Sequence, residues 1–132
     1  MALRWYSTVV ESTDHHALAR WWAAALEWDL LIDTDLEAIV VPPWAAELTA
    51  RLDFHRVPPG MVFVPVEHEK SGKNRLHWDF APHVGDDREA EIARLVDLGA
   101  TVVDVGQPAE ASWTVLADPE GNEFCVLSSR TE

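Results

Sequence analysis

The sequence feature that most constrains this chain is a strand–turn–strand pattern over residues 112–127. Residues 113–116 (WTVL) are apolar and partly β-branched, as expected for a half-buried strand. The following DPEG, which begins at Asp118, matches a type I turn. In such a turn the aspartate accepts a backbone hydrogen bond, the proline presets φ, and the glycine eases the exit. A second strand, NEFCVL, starts at Asn122, so the pattern predicts a β-hairpin.

Glu123 is out of place in this hairpin, because the strand around it is otherwise suited to burial. It lies beside Phe124 and two residues before Cys125. A carboxylate in such a strand must face solvent, a cavity, or a partner such as a metal or a base. Glu123 is therefore a candidate site residue.

Composition limits the class of protein. A chain of 132 residues with 48% hydrophobic content forms one domain with a proper core. The formal charge of −13 argues against nucleic acid and anionic membranes as partners. The single cysteine, Cys125, argues against an internal disulfide and a cysteine-based zinc site, and it fits a reducing compartment. Neither a long apolar run nor a signal-peptide pattern is present, so we expect a cytoplasmic protein.

The first half of the chain is predicted to contain four strands and one main helix. Three possible caps, at residues 12–14, precede an apolar stripe with helical spacing that includes Leu18 and Trp22. Residues 42–60 form a long connection with a proline pair at each end, and 44–52 suits two helical turns. The predicted strands of this half are 3–10, 28–33, 36–41 and 61–66, and the helix runs to about residue 28.

The second half repeats this order. A strand at 75–80 precedes a helix capped by Asp86 or Asp87 and ended by Gly99, and a strand at 101–105 precedes the hairpin. Both halves therefore read strand–helix–strand–strand–strand, an internal repeat of order. We predict a single domain over 1–132, with a first module at about 1–66, a polar linker at 67–74, and a second module at about 75–132.

Three runs carry a resemblance to a known family. They are KNRLHWDF (73–80), LVDLGATVVDVG (95–106) and WTVLADPEGNEFCVL (113–127). Together they resemble the glyoxalase/bleomycin-resistance, or vicinal oxygen chelate, superfamily, and more narrowly its small bacterial glyoxalase-like proteins. In the first half only the helix at 18–28 and the strand order agree. The resemblance implies an α+β fold in which two βαβββ modules curl into an eight-stranded cup, with the helices outside.

The resemblance also implies where a metal would bind. Metal-dependent members use one ligand from the first strand and one from the last strand of each module. In the second module these positions match His77 and Glu123.

In the first module the matching positions differ from the family pattern. The first-strand position falls at Ser7 when counted back from the helix cap, or at Trp5 if loop lengths match the second module. The last-strand position falls near Val62 or Val64. Valine and tryptophan do not bind metals and a serine is a poor ligand, so the set is incomplete. The sequence therefore leaves the cofactor undetermined. A divalent metal, if one binds, is expected to be held weakly.

Further residues are candidates for the site through strand alternation. Asp79 shares a face with His77, as a rim carboxylate or a catalytic one. His77 is predicted to be a cavity-wall residue, hydrogen-bonded to Asp79, Glu123 or a backbone carbonyl, or else a metal ligand or general base. Cys125 is predicted to be a buried apolar filler rather than a nucleophile.

Aromatic residues are the predicted ligand contacts. Trp5 and Trp113 are candidates for lining the ligand space, with Ser7 beside Trp5 on one face. Trp44 and Phe54, in the 42–60 connection, are candidate lid contacts, with a dimer contact or local packing as the alternative. Aromatic walls with few polar groups suit a planar or hydrophobic small molecule.

Three functions follow as hypotheses. The first is a protein that binds a small organic ligand without chemistry. The second is an enzyme, a lyase of the glyoxalase type, an isomerase or a dioxygenase, in which His77 and Glu123 hold a metal or move a proton. The third is a regulatory module that reuses the fold for dimerisation. In each case the resemblance implies a homodimer.

Overall fold

The structure is a computed structural model that describes residues 2–132. The chain divides into two compact units, one ending at Glu69 and the other running from Lys70 to Glu132. The first unit contains β1 (Ser7–Ser12), α1 (His15–Leu26), β2 (Asp29–Asp33), β3 (Ala38–Val41), α2 (Ala45–Arg51), a 3-10 turn (Phe54–Arg56) and β4 (Gly60–Pro65). The second contains β5 (Asp79–Phe80), α3 (Arg88–Leu98), β6 (Thr101–Val102), β7 (Thr114–Ala117) and β8 (Glu123–Val126).

The two units share one strand topology, as the repeat in the sequence predicted. The first sheet has the order β1-β4-β3-β2 and the second β5-β8-β7-β6. In each sheet the first strand is parallel to the last strand of its unit, and the other pairs are antiparallel. This arrangement confirms the predicted α+β class with two βαβββ modules.

In the first unit, the apolar stripe of α1 forms the core with the sheet. Trp22, Leu18 and Ala25 are buried, as the helical spacing predicted. They belong to one buried apolar set with the alternate residues Ala38 and Val40 of β3 and Met61 and Phe63 of β4. Asp14 caps the helix, since its side chain accepts a hydrogen bond from the Ala17 amide.

Strand β1 begins four residues later than the sequence indicated. Its first residue, Ser7, pairs with Gly60, the first residue of β4. The two residues before Gly60 are Pro58 and Pro59, which have no backbone N–H to continue a ladder. The Tyr6 carbonyl still accepts a hydrogen bond from the Gly60 amide at 3.3 Å, but residues 3–6 lie outside the strand, and β1 instead runs on to Ser12.

The connection at 42–60 is ordered, and one of its contacts reaches the segment before β1. Helix α2 ends at Arg51, and the 3-10 turn follows with Phe54 as its first residue. The Arg4 guanidinium lies 4.7 Å from the ring centroid of Tyr6 and 4.9 Å from that of Phe54. A cation between two aromatic rings thus links the connection to the N-terminal segment.

In the second unit, α3 is tied to the sheet by Arg88 in its first turn. The guanidinium donates to the carbonyl oxygens of Val126 and Leu127, each at 2.8 Å, and to the Thr114 hydroxyl at 3.0 Å. Of the residues of α3 only Leu95 is buried. The helix is capped by Asp87, whose carboxylate accepts from the Ala90 amide, and Gly99 ends it with φ of 120°.

The predicted turn between β7 and β8 is confirmed in detail. The Gly121 amide donates to the Asp118 carbonyl at 2.9 Å, and Gly121 has φ of 87°. The buried Asp118 carboxylate accepts from the amides of Glu120 and Asn122 and from the Asn122 side chain. Within residues 2–132, the helices are all too short or too polar to cross a bilayer.

Candidate functional site

The candidate site residues His77, Asp79, Glu123 and Cys125 of the second unit lie in or next to β5 and β8. Asp79 of β5 pairs directly with Cys125 of β8 in the parallel ladder. The Cys125 amide donates to the Trp78 carbonyl at 2.9 Å, which holds the start of β5 in register. Alternation within β8 places Glu123 on the same side as Cys125. The strand predicted at 75–80 forms only at Asp79–Phe80, so His77 precedes it, and the proximity of His77 is shown instead by its ligand atom, which lies within 4.8 Å of those of Asp79 and Cys125.

Glu123 is bound by residues of the linker rather than by His77. Its carboxylate accepts from the Asn74 amide at 3.1 Å and forms an ion pair with the Lys70 ammonium, also at 3.1 Å. Burial raises the pKa of Glu123, but the hydrogen bonds from backbone amides and the Lys70 contact outweigh it, so the pKa lies below its usual value. Glu123 is an ionised carboxylate whose charge is already balanced.

His77 instead pairs with Asp79, which is one of the partners that the sequence allowed. Their Nε2 and Oδ1 atoms are 3.3 Å apart, and both side chains are exposed. One potential ligand atom from each of His77, Asp79 and Cys125 lies within 4.8 Å of the others. The three side chains thus form a compact cluster of nitrogen, oxygen and sulfur atoms.

Cys125 is buried in this cluster, as predicted for an apolar filler. Burial raises the pKa of the Cys125 thiol; the Asp79 charge and hydrogen bond add to this, and Lys73 acts in the opposite direction. A raised pKa keeps the sulfur protonated at neutral pH, which argues against a role as a free nucleophile.

In the first unit the positions that the resemblance assigns to metal ligands do not fit a metal. Strand alternation places Ser7 and Val9 on one side of β1, and Val9 pairs with Val62 of β4. Val64 pairs with Glu11, a residue that the sequence prediction missed because it ended the strand at Val10. A hydroxyl and two valines do not supply the nitrogen and carboxylate ligands that a catalytic divalent ion needs.

The aromatic candidates are exposed. The exposed fractions are 66% for Trp5, 58% for Phe54, 51% for Trp44 and 38% for Trp113. Trp5 lies before β1 rather than within it, and Trp113 directly precedes β7. Phe54 contacts Arg4 and lies edge-on to His55, with their ring centroids 5.3 Å apart.

Sequence reasoning missed Arg4, Tyr6 and Lys70 as participants. Arg4 and Lys70 act through partners far along the chain, Phe54 and Glu123, whereas Tyr6 contacts Arg4, two residues before it. Neither pair has a spacing that a helix or strand period reveals. The RWY tripeptide at residues 4–6, in which an arginine is followed by two aromatic residues, is the one local signal of the first contact.

Comparison with solved structures shows the fold. A glyoxalase/bleomycin resistance protein/dioxygenase family enzyme from Burkholderia phytofirmans aligns with a TM-score of 0.71 and 14% identity, over 97% of this chain and 100% of that one. The fosfomycin resistance protein FosX of Mesorhizobium loti aligns at 0.65 and 12%, over 98% and 95%. Glyoxalase I of Leishmania major aligns at 0.59 and 14%, over 98% and 89%.

Comparison of sequences identifies the family. A search of the curated proteins finds no significant match. A family profile described as a glyoxalase-like domain matches residues 7–127, which is most of the chain and includes both β1 and β8. With the shared fold of its structural neighbours, this match shows that the chain belongs to the glyoxalase-like domain family of the vicinal oxygen chelate superfamily.

Proposed function

We propose that this protein binds a planar organic small molecule, neutral or cationic, through exposed aromatic side chains of its first unit. The observation that carries the proposal is the contact of the Arg4 guanidinium with the rings of Tyr6 and Phe54. The face of an aromatic ring carries negative electrostatic potential and attracts cations. Rings that already hold a guanidinium, and remain more than half exposed, suit a flat ligand that stacks on them.

The charge of the chain supports the same ligand class. A formal charge of −13 attracts cations to the surface and repels anions. The names of two structural neighbours refer to resistance to bleomycin or fosfomycin, and an organic small molecule as ligand agrees with them. The poor donor set at Ser7, Val62 and Val64 supports binding without the metal chemistry that the family resemblance implies.

Titration with a fluorescent cation tests the proposal. Proflavine, a planar cation, should bind and gain fluorescence anisotropy, whereas 1-naphthalenesulfonate, a planar anion, should bind more weakly. Phe54→Ala should weaken proflavine binding by about tenfold, the loss of one stacked ring contact. Trp21→Phe, a change on α1 away from these rings in sequence, serves as the matched control. A preference for the anion, or equal binding by Phe54→Ala and the wild type, would refute the proposal.

The enzymatic alternative assigns His77 and Glu123 as metal ligands or as an acid–base pair. The pairing of Glu123 with Lys70 and Asn74 disfavours this alternative. The negative charge of the carboxylate is already balanced by the Lys70 ammonium, and the carboxylate accepts a hydrogen bond from the Asn74 amide. Asp79 is the carboxylate nearer to His77 in the contacts formed. Mass spectrometry of recovered proflavine after long incubation tests for catalysis on this probe, since a chemically altered probe would support the enzyme.

We further propose that the chain forms a homodimer, as the resemblance implies. Strand β1 is an edge of the first sheet, and its Val9 side chain is 58% exposed. Exposed edge strands with apolar side chains are sites of association. Light scattering should give twice the mass of one chain, and Val9→Lys should lower it. A dimer that binds no small molecule in any titration would favour the regulatory module instead.

A further inference from the structure

The strongest unassigned feature is the mixed cluster on the second sheet. We propose that His77, Asp79 and Cys125 form a zinc site that shares His77 with the four-ligand set implied by the family but uses Asp79 and Cys125 in place of Glu123. Composition argued against zinc held by cysteines, since the chain has one. The structure instead brings that cysteine together with a histidine and an aspartate.

The three residue types match the ligand preferences of zinc. Zinc binds cysteine sulfur, histidine nitrogen and carboxylate oxygen, and a thiolate ligand favours it over harder ions such as magnesium. Three protein ligands leave one tetrahedral position open to water or to a donor atom of a bound small molecule.

The distances are close to those of a formed site. With metal–ligand bonds of about 2.0–2.3 Å, neighbouring ligand atoms in a tetrahedral zinc site are about 3.3–3.6 Å apart. The His77 Nε2 and Asp79 Oδ1 atoms are already 3.3 Å apart. All three ligand atoms lie within 4.8 Å of one another, so a contraction of about 1 Å completes the set.

The backbone allows that contraction without refolding. Cys125 lies within β8. The Cys125 amide donates to the Trp78 carbonyl, and the Leu127 amide donates to the Phe80 carbonyl. These bonds flank Asp79 and fix its backbone against the cysteine. The side chains of His77 and Asp79 are exposed and can change rotamer toward the sulfur, which also leaves the site open to solvent.

The state of Glu123 distinguishes the proposed zinc site from the metal site that the family resemblance implies. Its carboxylate is engaged by Lys70 and the Asn74 amide, and it does not belong to the three-residue cluster. A metal held by the family's pair would have to displace the Lys70 ammonium from Glu123. A metal held by His77, Asp79 and Cys125 leaves that ion pair intact.

Metal titration of the whole chain, stripped with a chelator and kept reduced, tests the inference. Zinc competition against a chromophoric chelator should show one site per chain. Cobalt, used as a spectroscopic probe, should give a thiolate-to-cobalt charge-transfer band in the near ultraviolet. Cys125→Ser should abolish that band, and His77→Ala and Asp79→Asn should each weaken zinc binding by at least about tenfold.

Two controls separate the site from alternatives. His83→Ala removes an exposed histidine of the same unit outside the cluster, and Glu123→Gln removes the inherited ligand; both should leave zinc affinity within about twofold. The absence of a charge-transfer band in the wild type overturns the inference without any variant, so a Cys125→Ser protein that fails to fold does not protect it. Zinc lost in Glu123→Gln but retained in Cys125→Ser would show the family's pair instead.

Discussion

Replacing the turn residue Asp118 with alanine should destabilise the protein more than replacing the exposed loop residue Asp104 with alanine. Asp118 is 4% exposed, and its carboxylate accepts hydrogen bonds from the Glu120 amide at 2.9 Å, the Asn122 amide at 3.0 Å and the Asn122 side chain at 2.8 Å. Each such bond contributes about 1 kcal/mol net, and a charged acceptor contributes more. Water can reach part of the turn, since Pro119 and Gly121 are exposed. The expected loss in the free energy of unfolding is therefore about 2–3 kcal/mol rather than the full sum.

That loss converts into a measurable change in melting temperature. An unfolding entropy of about 2.1 cal/mol/K per residue gives about 0.28 kcal/mol/K for a chain of this length. A loss of about 2–3 kcal/mol then lowers Tm by about 7–11 °C. Calorimetry or circular dichroism measures this, and Asp118→Asn, which keeps one acceptor oxygen, should lose about half as much.

Asp104→Ala is the matched control. Asp104 is an exposed loop aspartate whose carboxylate accepts from the Gly106 amide at 2.8 Å. Water can replace that bond, so the change in Tm should be small beside that of Asp118→Ala. Equal shifts for Asp118→Ala and Asp104→Ala would refute the reasoning, because burial of the carboxylate would then have no effect.

Three further predictions concern the core, the helix attachment and the response to acid. Trp22→Ala removes the largest fully buried side chain and should cost about 3–5 kcal/mol in urea unfolding, whereas a cost below about 1 kcal/mol would place the tryptophan outside the core. Arg88→Lys should cost about 1–2 kcal/mol, because an ammonium cannot bind the Val126 and Leu127 carbonyls and the Thr114 hydroxyl in the fork geometry of a guanidinium; full retention of Tm would contradict this. The lowered pKa of Glu123 stabilises the folded state above the ordinary value of 4.5, and this contribution is lost as the pH falls through the lower folded-state pKa. Glu123→Gln should therefore show a shallower fall in Tm between about pH 5 and about pH 3 than the wild type, and parallel curves would argue against the Lys70 pairing.

Local interactions account for the features that could be predicted from sequence. The turn at Asp118 forms through bonds between residues at most four apart, and the caps at Asp14 and Asp87 bind amides three residues away. Hydrogen bonds between residues so close in the chain can be predicted from the local sequence. The same holds for the stripe of α1, because burial at helical spacing needs only one apolar surface opposite.

Strand ends and pairing partners depended on distant parts of the chain. The start of β1 is set by the lack of amide protons at Pro58 and Pro59, which lie beside it only once β1 and β4 pair. In the second unit, alternation along a predicted strand at 75–80 placed His77 and Asp79 on one face, but the strand begins only at Asp79. Alternation also does not say which cation or acid each residue contacts.

The sequence by itself determined the repeated strand–helix–strand–strand–strand order and the hairpin, since these rest on periodicity and short-range hydrogen bonds. The α+β class and the family followed from the resemblance of three residue runs. Only the tertiary structure decided that Glu123 binds Lys70 and Asn74, the latter 49 residues away, while His77 and Asp79 approach Cys125. The physical reason is that a charged side chain on a sheet has several partners within reach of its rotamers. Which partner the side chain binds depends on how the linker and the strands come together in the folded unit, and no local sequence pattern encodes that.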